Sequence, residues 1–252
     1  MLFRILVLDS SGMEIRKLSD MSLWRECGFE ITGHTFDVDH AVTSAENQEC
    51  DLVLCVDRPA SAVAVPFMTK AAKRCPEIST LVISHVESSK NIRECFLLGA
   101  VDCLVEPVKN DELKQALIRV RTIVSTNAAG KEYASATNTA LEKLTAACDN
   151  EALIEKLSEF LKKRQGQAAS VEEAADFFGF NPDYFRRYFK RKTGVSFSEF
   201  YKNLTMDYAR LLLSSGHYKV AEVSELLGYS SADYFTRVFK KVTGHVPSDF
   251  RR

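Results

Sequence analysis

Short apolar runs alternate with amphipathic segments along the first half of the chain. The runs are FRILVLD, FEITGH, DLVLCV, TLVIS and CLVEP, and the segments between them carry apolar residues at helical spacing. Continuous apolar runs are typical of strands that are covered on both faces, and strands that alternate with helices form parallel sheets. The pattern therefore predicts an α/β domain over residues 1–125, built on a doubly wound five-stranded parallel sheet.

The working site of such a sheet lies beyond the carboxyl ends of its strands. The residues at or beside the predicted strand ends are Asp9, Ser10, Val56, Asp57, Ser84 and Glu106. The first helix is predicted from the spacing of Met13, Leu18, Met21 and Trp24. The others are predicted around residues 38–45, 65–72, 90–98 and 110–124.

The rest of the chain shows helical patterns without strand patterns. Residues 126–149 contain many small polar residues and predict a partly helical linker that follows a last helix ending at residue 124. Residues 150–252 predict an all-α domain, in which Ser170-x-x-Glu173 and Ser196-x-x-Glu199 have the capping-box pattern of helix starts.

An internal repeat divides the second domain. Residues 183–200 match residues 233–250 at 10 of 18 positions with an offset of 50. Upstream, residues 171–180 align with residues 220–229 at an offset of 49, so the second copy has one extra residue in its turn. A repeated helix, glycine-containing turn and helix is the sequence form of two helix-turn-helix units.

The second helix of each copy has one aromatic face and one basic face. Phe185 and Phe189 are four residues apart, as are Phe235 and Phe239, and this spacing predicts a buried face. The opposite faces carry Asp183, Arg186, Arg187 and Lys190 in copy one and Asp233, Thr236, Arg237 and Lys240 in copy two. One such helix equally fits a solvated basic face, but two copies with the same turn favour major-groove binding.

Charge and cysteine content refine the picture. Residues 1–125 contain 14 Lys and Arg against 18 Asp and Glu, whereas residues 170–252 contain 13 against 10, so the back of the chain is the basic part. The seven cysteines form no Cys-x-x-Cys pair, which favours reduced thiols in a cytoplasm over a metal site. No apolar run is long enough to predict a membrane span.

Residues 151–252 resemble the DNA-binding domain of the AraC family, most clearly in LGYSSADYFTRVFKKVTGHVPSDFRR. The resemblance implies two helix-turn-helix subdomains joined by a helix over 196–214, with Phe197, Phe200, Leu204, Tyr208 and Leu211 facing inward. It implies base contacts from Asp183, Arg186, Arg187, Ala232, Asp233, Thr236 and Arg237. Phosphate contacts are expected from Lys190, Lys240 and Lys241.

Residues 1–125 resemble the receiver domain of bacterial response regulators, on the strand pattern and on WRECGFEITG. The resemblance implies two adjacent acids that bind Mg²⁺, a nucleophilic Asp at the end of the third strand, a Ser or Thr after the fourth and a Lys before a proline after the fifth. It also implies a cis bond before Pro107 and dimerisation through a face within residues 90–124. Phosphoryl transfer needs the metal and the lysine because charge develops on the equatorial oxygens.

The chain departs from that pattern at three positions. Ser10 replaces the second acid, Val56 takes the place of the nucleophile with Asp57 one residue later, and Glu106 replaces the lysine. A shift of one residue in a strand turns the side chain to the other face. We therefore interpret the domain as a pseudo-receiver that senses or dimerises without aspartyl phosphorylation.

The sequence predicts a cytoplasmic transcription regulator that binds double-stranded DNA, forms a homodimer, and uses no cofactor or resident metal. No catalytic constellation is visible, so we expect no enzymatic activity. A partner protein or a small ligand at the receiver-like domain is the expected source of a signal. Three alternatives stay open at this point: phosphorylation of a displaced Asp57, a carboxylate metal site of Asp9, Asp57 and Glu106, and an adaptor that no longer reads DNA.

Overall fold

The computed structural model describes residues 2–9, 22–58, 62–84, 89–148 and 150–251. The chain divides into two compact units, Met1–Asn127 and Ala128–Arg252. Most of the first predicted helix, with Met13, Leu18 and Met21, lies outside the described residues, as does Ser10. In the described part, no helix combines the length and apolar character needed to cross a bilayer.

A parallel sheet forms the centre of the first unit. Its strands are β1 (Phe3–Asp9), β2 (Phe29–Thr35), β3 (Leu52–Asp57), β4 (Ser79–Ser84) and β5 (Asp102–Val105). Their order is β2-β1-β3-β4-β5, and all neighbours run parallel. This is the flavodoxin-like doubly wound order, in which the strand order reverses between β1 and β3. The predicted five-stranded doubly wound sheet is confirmed.

Helices alternate with these strands. The described helices of this unit are α1 (Leu23–Glu26), α2 (Val38–Glu46), α3 (Ala64–Arg74) and α4 (Ser89–Leu97), followed by α5 (Asn110–Thr145), which continues into the second unit. Leu8, Val53 and Cys55 pack with apolar residues of α2, α3 and α4 on one face of the sheet. Ile5 and Val7 alternate to the other face and are equally buried, so both faces are covered.

The turn after β5 has the geometry that the receiver resemblance implies. The peptide bond between Glu106 and Pro107 is cis, as predicted. The backbone N–H of Glu106 donates a hydrogen bond to the carbonyl oxygen of Ser84 over 3.0 Å. The end of β5 is therefore tied directly to the end of β4.

The end of the last helix of the α/β domain was wrongly predicted. Helix α5 does not stop at residue 124 but runs without interruption from Asn110 to Thr145, through most of the predicted linker. Small and polar residues such as those of 125–140 are compatible with helix, and buried Ala129, Tyr133 and Ala136 anchor this segment in the second unit's core. Burial of that stripe overrides the linker-like composition.

The second unit is helical in its described part. Its helices after α5 are α6 (Glu151–Arg164), α7 (Val171–Phe178), α8 (Pro182–Thr193), α9 (Phe197–Ser214), α10 (Val220–Leu226) and α11 (Ala232–Thr243), and a 3₁₀ turn covers Pro247–Phe250. Helices α7 and α8 form the first helix-turn-helix unit, and α10 and α11 form the second. Helix α9 connects them. The all-α class predicted for this domain is confirmed.

Aromatic rings hold the second unit together. Phe185, Phe189 and Phe197 are buried in mutual contact, with ring centroids 5.4 to 5.7 Å apart. In copy two, Phe235 and Phe239 make the equivalent pair at 5.5 Å. The predicted aromatic faces are therefore the core faces of α8 and α11, and pairs of this kind stabilise beyond their buried area.

Helix α9 differs from the prediction near its end. The inward positions Phe197, Phe200, Leu204 and Tyr208 are buried as expected. Leu211, however, is half-buried, and the next two residues, Leu212 and Leu213, are fully buried instead. A helix of this length meets neighbours on more than one side, so its buried stripe is wider than a single line of residues at fixed spacing.

Candidate functional site: a nucleic-acid interface and a receiver-like pocket

The turn between α7 and α8 is built from local backbone chemistry. Gly179 ends α7 with φ of 74°, a left-handed conformation that glycine adopts without steric cost. Asn181 then caps α8, because its side-chain oxygen accepts the backbone N–H of Tyr184 at 2.8 Å. Pro182 occupies the first helical position, where its missing N–H costs nothing. The start of α8 is therefore fixed by residues that neighbour it in the sequence.

Copy two repeats this construction with one more residue in the turn. Gly228 has φ of 76°, and the Ser231 hydroxyl accepts the backbone N–H of Tyr234 at 3.2 Å. At the far end, the hydroxyls of Thr193 and Thr243 donate to the carbonyl oxygens of Phe189 and Phe239, each at 2.8 Å. The shared Thr-Gly sequence thus ends both helices in the same way.

The start of copy one is reinforced by a reciprocal pair of hydrogen bonds. The backbone N–H of Glu173 donates to the Ser170 hydroxyl, and the backbone N–H of Ser170 donates to the Glu173 carboxylate. The hydrogen bond from the Ser170 backbone lowers the pKa of Glu173. The predicted capping box at residues 170–173 is therefore present.

The predicted DNA-contacting residues lie on the faces opposite the buried phenylalanines. The exposed members are Asp183, Arg186, Arg187, Lys190, Asp233, Arg237, Lys240 and Lys241. Ala232 and Thr236 are half-buried, and the Thr236 hydroxyl donates to the Ala232 carbonyl oxygen at 2.8 Å. That bond holds the Thr236 side chain against its own helix.

The arginines of the two copies have different neighbours. Arg186 pairs with the carboxylates of Asp183 at 2.8 Å and Glu172 at 2.6 Å. Arg187 donates through Nε to the Asp183 carbonyl oxygen at 3.3 Å. In copy two, the Arg237 guanidinium lies 5.8 Å from the centre of the Tyr234 ring. Electrostatic partners therefore hold Arg186 in copy one, and an aromatic ring supports Arg237 in copy two.

Two tyrosines on this surface were missed by the sequence prediction. Tyr184 and Tyr234 occupy equivalent positions of α8 and α11, and they are 41% and 48% exposed. Each exposed tyrosine presents an aromatic face and a hydroxyl group beside the arginines, and these groups suit stacking and hydrogen bonding to a binding partner. The repeated Asp-Tyr-Phe triplet at an offset of 50 was the available signal.

In the receiver-like unit, Asp57 accepts hydrogen bonds from the start of a helix. Its carboxylate is buried, and one oxygen accepts the backbone N–H groups of Val63 at 2.7 Å and Ala64 at 2.9 Å. These groups belong to the start of α3, where a negative charge also complements the helix dipole. Asp57 thus caps a helix from six residues upstream, a structural role that needs no phosphoryl chemistry.

Strand pairing places Asp9 and Asp57 on opposite faces of the sheet. Asp9 is in register with Val56, and Asp57 is in register with Ser84 without any bulge in β3. Side chains alternate along a strand, so Asp57 shares the face of Cys55 and Asp9 the face of Val56. Burial first and the Asp57 charge second raise the pKa of the Cys55 thiol, which agrees with that placement.

A cation of the chain itself stands beside Asp9. The Nε of Arg58 lies 3.8 Å from an Asp9 carboxylate oxygen, and the Asp9 side chain is fully buried. Mg²⁺ requires converging oxygen ligands. A guanidinium next to Asp9 and an Asp57 that faces away do not fit such a site. Among the described residues, no group of three or more His, Cys, Asp and Glu is placed to hold a metal.

Glu106 and Ser84 complete the predicted pocket residues that are described. Ser84 is buried at the end of β4, and Glu106 is half-buried directly after β5. Glu106 occupies the place where the receiver resemblance implies a lysine, and a carboxylate there repels a phosphoryl group. The strand ends therefore carry a capping Asp57 on one face of the sheet, an Asp9–Arg58 pair on the other, and Glu106 after β5.

Comparison with known proteins finds separate matches for the two halves of the chain. Residues 174–252 match the family model described as a helix-turn-helix domain. The uncharacterized HTH-type transcriptional regulator YijO of Escherichia coli is 29% identical over 110 residues, covering 44% of this chain and 39% of the relative. The transcriptional regulatory protein YesN of Bacillus subtilis is 37% identical over 81 residues, covering 31% and 22%.

The Arabinose operon regulatory protein of Salmonella typhimurium is 33% identical over 81 residues, covering 32% of this chain and 29% of that protein. The chain therefore spans less than two fifths of the length of each of these curated relatives. The AraC-type helix-turn-helix resemblance of the C-terminal domain is confirmed.

Solved receiver domains resemble the first half of the chain. The receiver domain of AraT, a response regulator from Geobacillus stearothermophilus, is 20% identical with a TM-score of 0.43, covering 50% of this chain and 97% of that domain. A CheY-like receiver domain from Methanospirillum hungatei is 18% identical with a TM-score of 0.41 over the same shares. By its own strand order and by the family match, the chain consists of a doubly wound α/β unit followed by a helix-turn-helix domain.

The capping role of Asp57 predicts different outcomes for two substitutions. Asp57→Ala removes the acceptor of two helix N–H groups and should lower the free energy of unfolding of the first unit by about 0.5–2 kcal/mol. Asp57→Asn keeps an oxygen acceptor and should stay close to the wild type. Urea unfolding followed by fluorescence of Trp24, the single tryptophan of the chain and buried in this unit, measures both. Equal stability of the Ala variant and the wild type would contradict the capping role.

Proposed function

We propose that this chain is a cytoplasmic, sequence-specific DNA-binding transcription regulator whose receiver-like domain works without aspartyl phosphorylation. The helix-turn-helix match over residues 174–252 and the two exposed basic faces of α8 and α11 support the DNA-binding part. The hydrogen bonds from Val63 and Ala64 to Asp57 support the second part, and they are the single observation that carries it.

DNA recognition is assigned to the exposed faces of α8 and α11. Arg187 and Arg237 are the strongest candidates for guanine edges, because the guanidinium fork matches the two acceptors of guanine. Lys190, Lys240 and Lys241 lie farther along the same helices, where a long flexible cation suits phosphate oxygens. Two such helices in one domain predict an asymmetric site with two contacted segments about one helical turn (roughly 34 Å) apart.

The modest charge of the domain predicts weak DNA binding by one chain and tighter binding by a dimer. Residues 170–252 carry a formal charge of +3, which supports few phosphate contacts. Two linked domains bind neighbouring half-sites more tightly than either alone because the second contact becomes intramolecular. A dimer is therefore part of the proposal.

Apolar side chains mark a surface for that dimer on the first unit. Phe96 and Leu97 at the end of α4 are 49% and 78% exposed, and Ile118 and Ile123 on α5 are 48% and 41% exposed. These helices precede and follow β5, the edge strand of the sheet. The four residues lie within the region 90–124 predicted for dimerisation, and a second copy of the chain would cover them.

Phosphorylation of Asp57 would be costly in this arrangement. A phosphoryl group adds about −2 charge and requires a compensating cation. The carboxylate that would carry it already accepts two backbone hydrogen bonds, and Glu106 replaces the expected lysine. Arg58 neighbours Asp9, whose strand position faces the other side of the sheet. A ligand, a partner protein or the abundance of the regulator itself is the proposed signal.

A phosphorylated response regulator is the second candidate function. Its supporting observation is that Ser84 is buried and in register with Asp57, as a pocket for a displaced nucleophile would require. Chemical phosphorylation distinguishes the two proposals directly.

Incubation with acetyl phosphate and Mg²⁺ should leave the intact mass unchanged, because Glu106 replaces the lysine that would offset the added charge on Asp57. Operator affinity should also stay unchanged, both after this treatment and in Asp57→Asn. Mass spectrometry and a gel shift on the same sample measure these outcomes. Stoichiometric addition of one phosphate with a large change in affinity would establish the second candidate instead.

Substitution of the two candidate base-reading arginines should relax sequence preference. Arg187→Ala and Arg237→Ala should each weaken binding by about 1–3 kcal/mol, and the loss should concentrate at one base position of duplexes selected from a random pool. Lys190→Ala, the phosphate-contact control, should weaken binding to all sequences and reduce the salt slope by about 1. If the arginine variants lost affinity uniformly across sequences, they would be phosphate contacts as well.

The dimer should depend on the apolar surface beside β5. Leu97→Asp places a charge in the proposed interface and should shift the protein toward monomer in sedimentation velocity at micromolar concentration. Phe36→Asp is the matched control, because Phe36 is 60% exposed directly after β2, the opposite edge strand. A wild-type protein that remains monomeric with and without DNA would rule out this interface.

A further inference from the structure

One ion-pair cluster on the DNA-binding surface distinguishes the first helix-turn-helix copy from the second. The Arg186 guanidinium donates hydrogen bonds to two carboxylates, that of Glu172 on α7 at 2.6 Å and that of Asp183 on its own helix at 2.8 Å. All three side chains are exposed, between 49% and 83%. The cluster therefore ties the recognition helix α8 to the helix before it while remaining open to solvent.

The internal repeat supplies a comparison within one molecule. Asp183 is repeated as Asp233, but Arg186 aligns with Thr236 at the offset of 50, and Glu172 aligns with Ala221 at the offset of 49. Both members of the α7–α8 pair are thus present in copy one and both are replaced in copy two. Thr236 instead bonds to the Ala232 carbonyl oxygen of its own helix. The pair is a feature of copy one and not a requirement of the helix-turn-helix fold.

The Glu172 carboxylate accepts a hydrogen bond from Arg186 that a DNA phosphate or base edge would otherwise accept. A guanidinium binds carboxylate and phosphate in the same bidentate manner, so Arg186 cannot satisfy Glu172 fully and a phosphate or base edge at the same time. A carboxylate beside the groove also repels the phosphate backbone. Binding of Arg186 to a duplex therefore has to offset the free energy of the Arg186–Glu172 ion pair that it breaks.

We infer that Glu172 is a specificity-determining residue that withholds Arg186 from DNA unless the sequence offers Arg186 a good partner. This inference rests on the proposed DNA-binding function and assigns a control element to that surface. On this inference α11 binds DNA without a competing carboxylate, and its Arg237 lies against Tyr234. Helix α8, whose Arg186 is paired with Glu172, makes the more selective contact. The Arg186–Glu172 pair should reduce the affinity for nonspecific duplex most, because such a duplex offers Arg186 only phosphate contacts.

Glu172→Gln is the direct test, with binding to a selected duplex and to an unrelated duplex measured across a range of salt concentrations. Exposed ion pairs are weak, so we expect nonspecific affinity to rise about two- to five-fold, with a smaller rise for the selected site. The ratio of specific to nonspecific affinity should fall. The slope of log affinity against log salt on the unrelated duplex should steepen by about 0.9, the value for one added phosphate contact.

Glu225→Gln controls for the loss of one negative charge, since Glu225 is an exposed glutamate on α10 of copy two. It should leave the specificity ratio unchanged. Glu172→Gln should have no effect of its own in an Arg186→Ala background, because the residue acts through Arg186. Circular dichroism melting of each variant confirms that it is folded, since Glu172 also lies in the first turn of α7.

Two results would overturn the inference. One is an equal change in Glu172→Gln and Glu225→Gln, which would reduce the effect to net charge. The other is an effect of Glu172→Gln that persists without Arg186, which would make Glu172 an independent contact. Failure of the proposed function itself has a separate signature, because wild-type protein would then bind no duplex in preference to another.

Discussion

Burial of paired phenylalanines is the constraint on which the proposed DNA-binding surface depends. Phe185 with Phe189 and Phe235 with Phe239 are completely removed from water. Residues four apart lie on one side of a helix, so burying them turns the arginines between them, Arg186, Arg187 and Arg237, outward. The same packing that stabilises the domain thereby orients its basic face, and the caps at Asn181 and Ser231 set where each helix begins.

The receiver-like unit follows a different constraint, the two-residue period of a strand. A shift of the acid from position 56 to position 57 moves it to the other face of β3, where the start of α3 lies within hydrogen-bonding distance. The carboxylate then stabilises the fold by capping that helix. Arg58, the next residue, neighbours Asp9, so a side chain supplies the positive charge at that position.

In both units a carboxylate near a proposed functional surface has a partner within the chain. Asp57 accepts hydrogen bonds from two backbone N–H groups at the start of α3, and Glu172 of copy one pairs with Arg186. The Asp57 carboxylate is thereby engaged by the start of α3, whereas Glu172 engages an arginine that the proposed DNA contact would also use. The DNA selectivity inferred for copy one therefore lies in competition between Glu172 and DNA for Arg186.

Local patterns in the sequence determined much of this protein: the five strands, the two helix-turn-helix copies, the buried phenylalanines, the glycine turns and the caps all depend on neighbours a few residues away. The one-residue displacement of Asp57 was also readable from the sequence. Its capping of α3 was not, because that depends on how the chain after β3 returns to the sheet. The continuity of α5 depended on Tyr133 and Ala136 finding a core to pack against. Pairing of Arg186 with Glu172 likewise required the crossing of α7 and α8, since contacts between elements are decided by tertiary packing and leave no local periodicity to read.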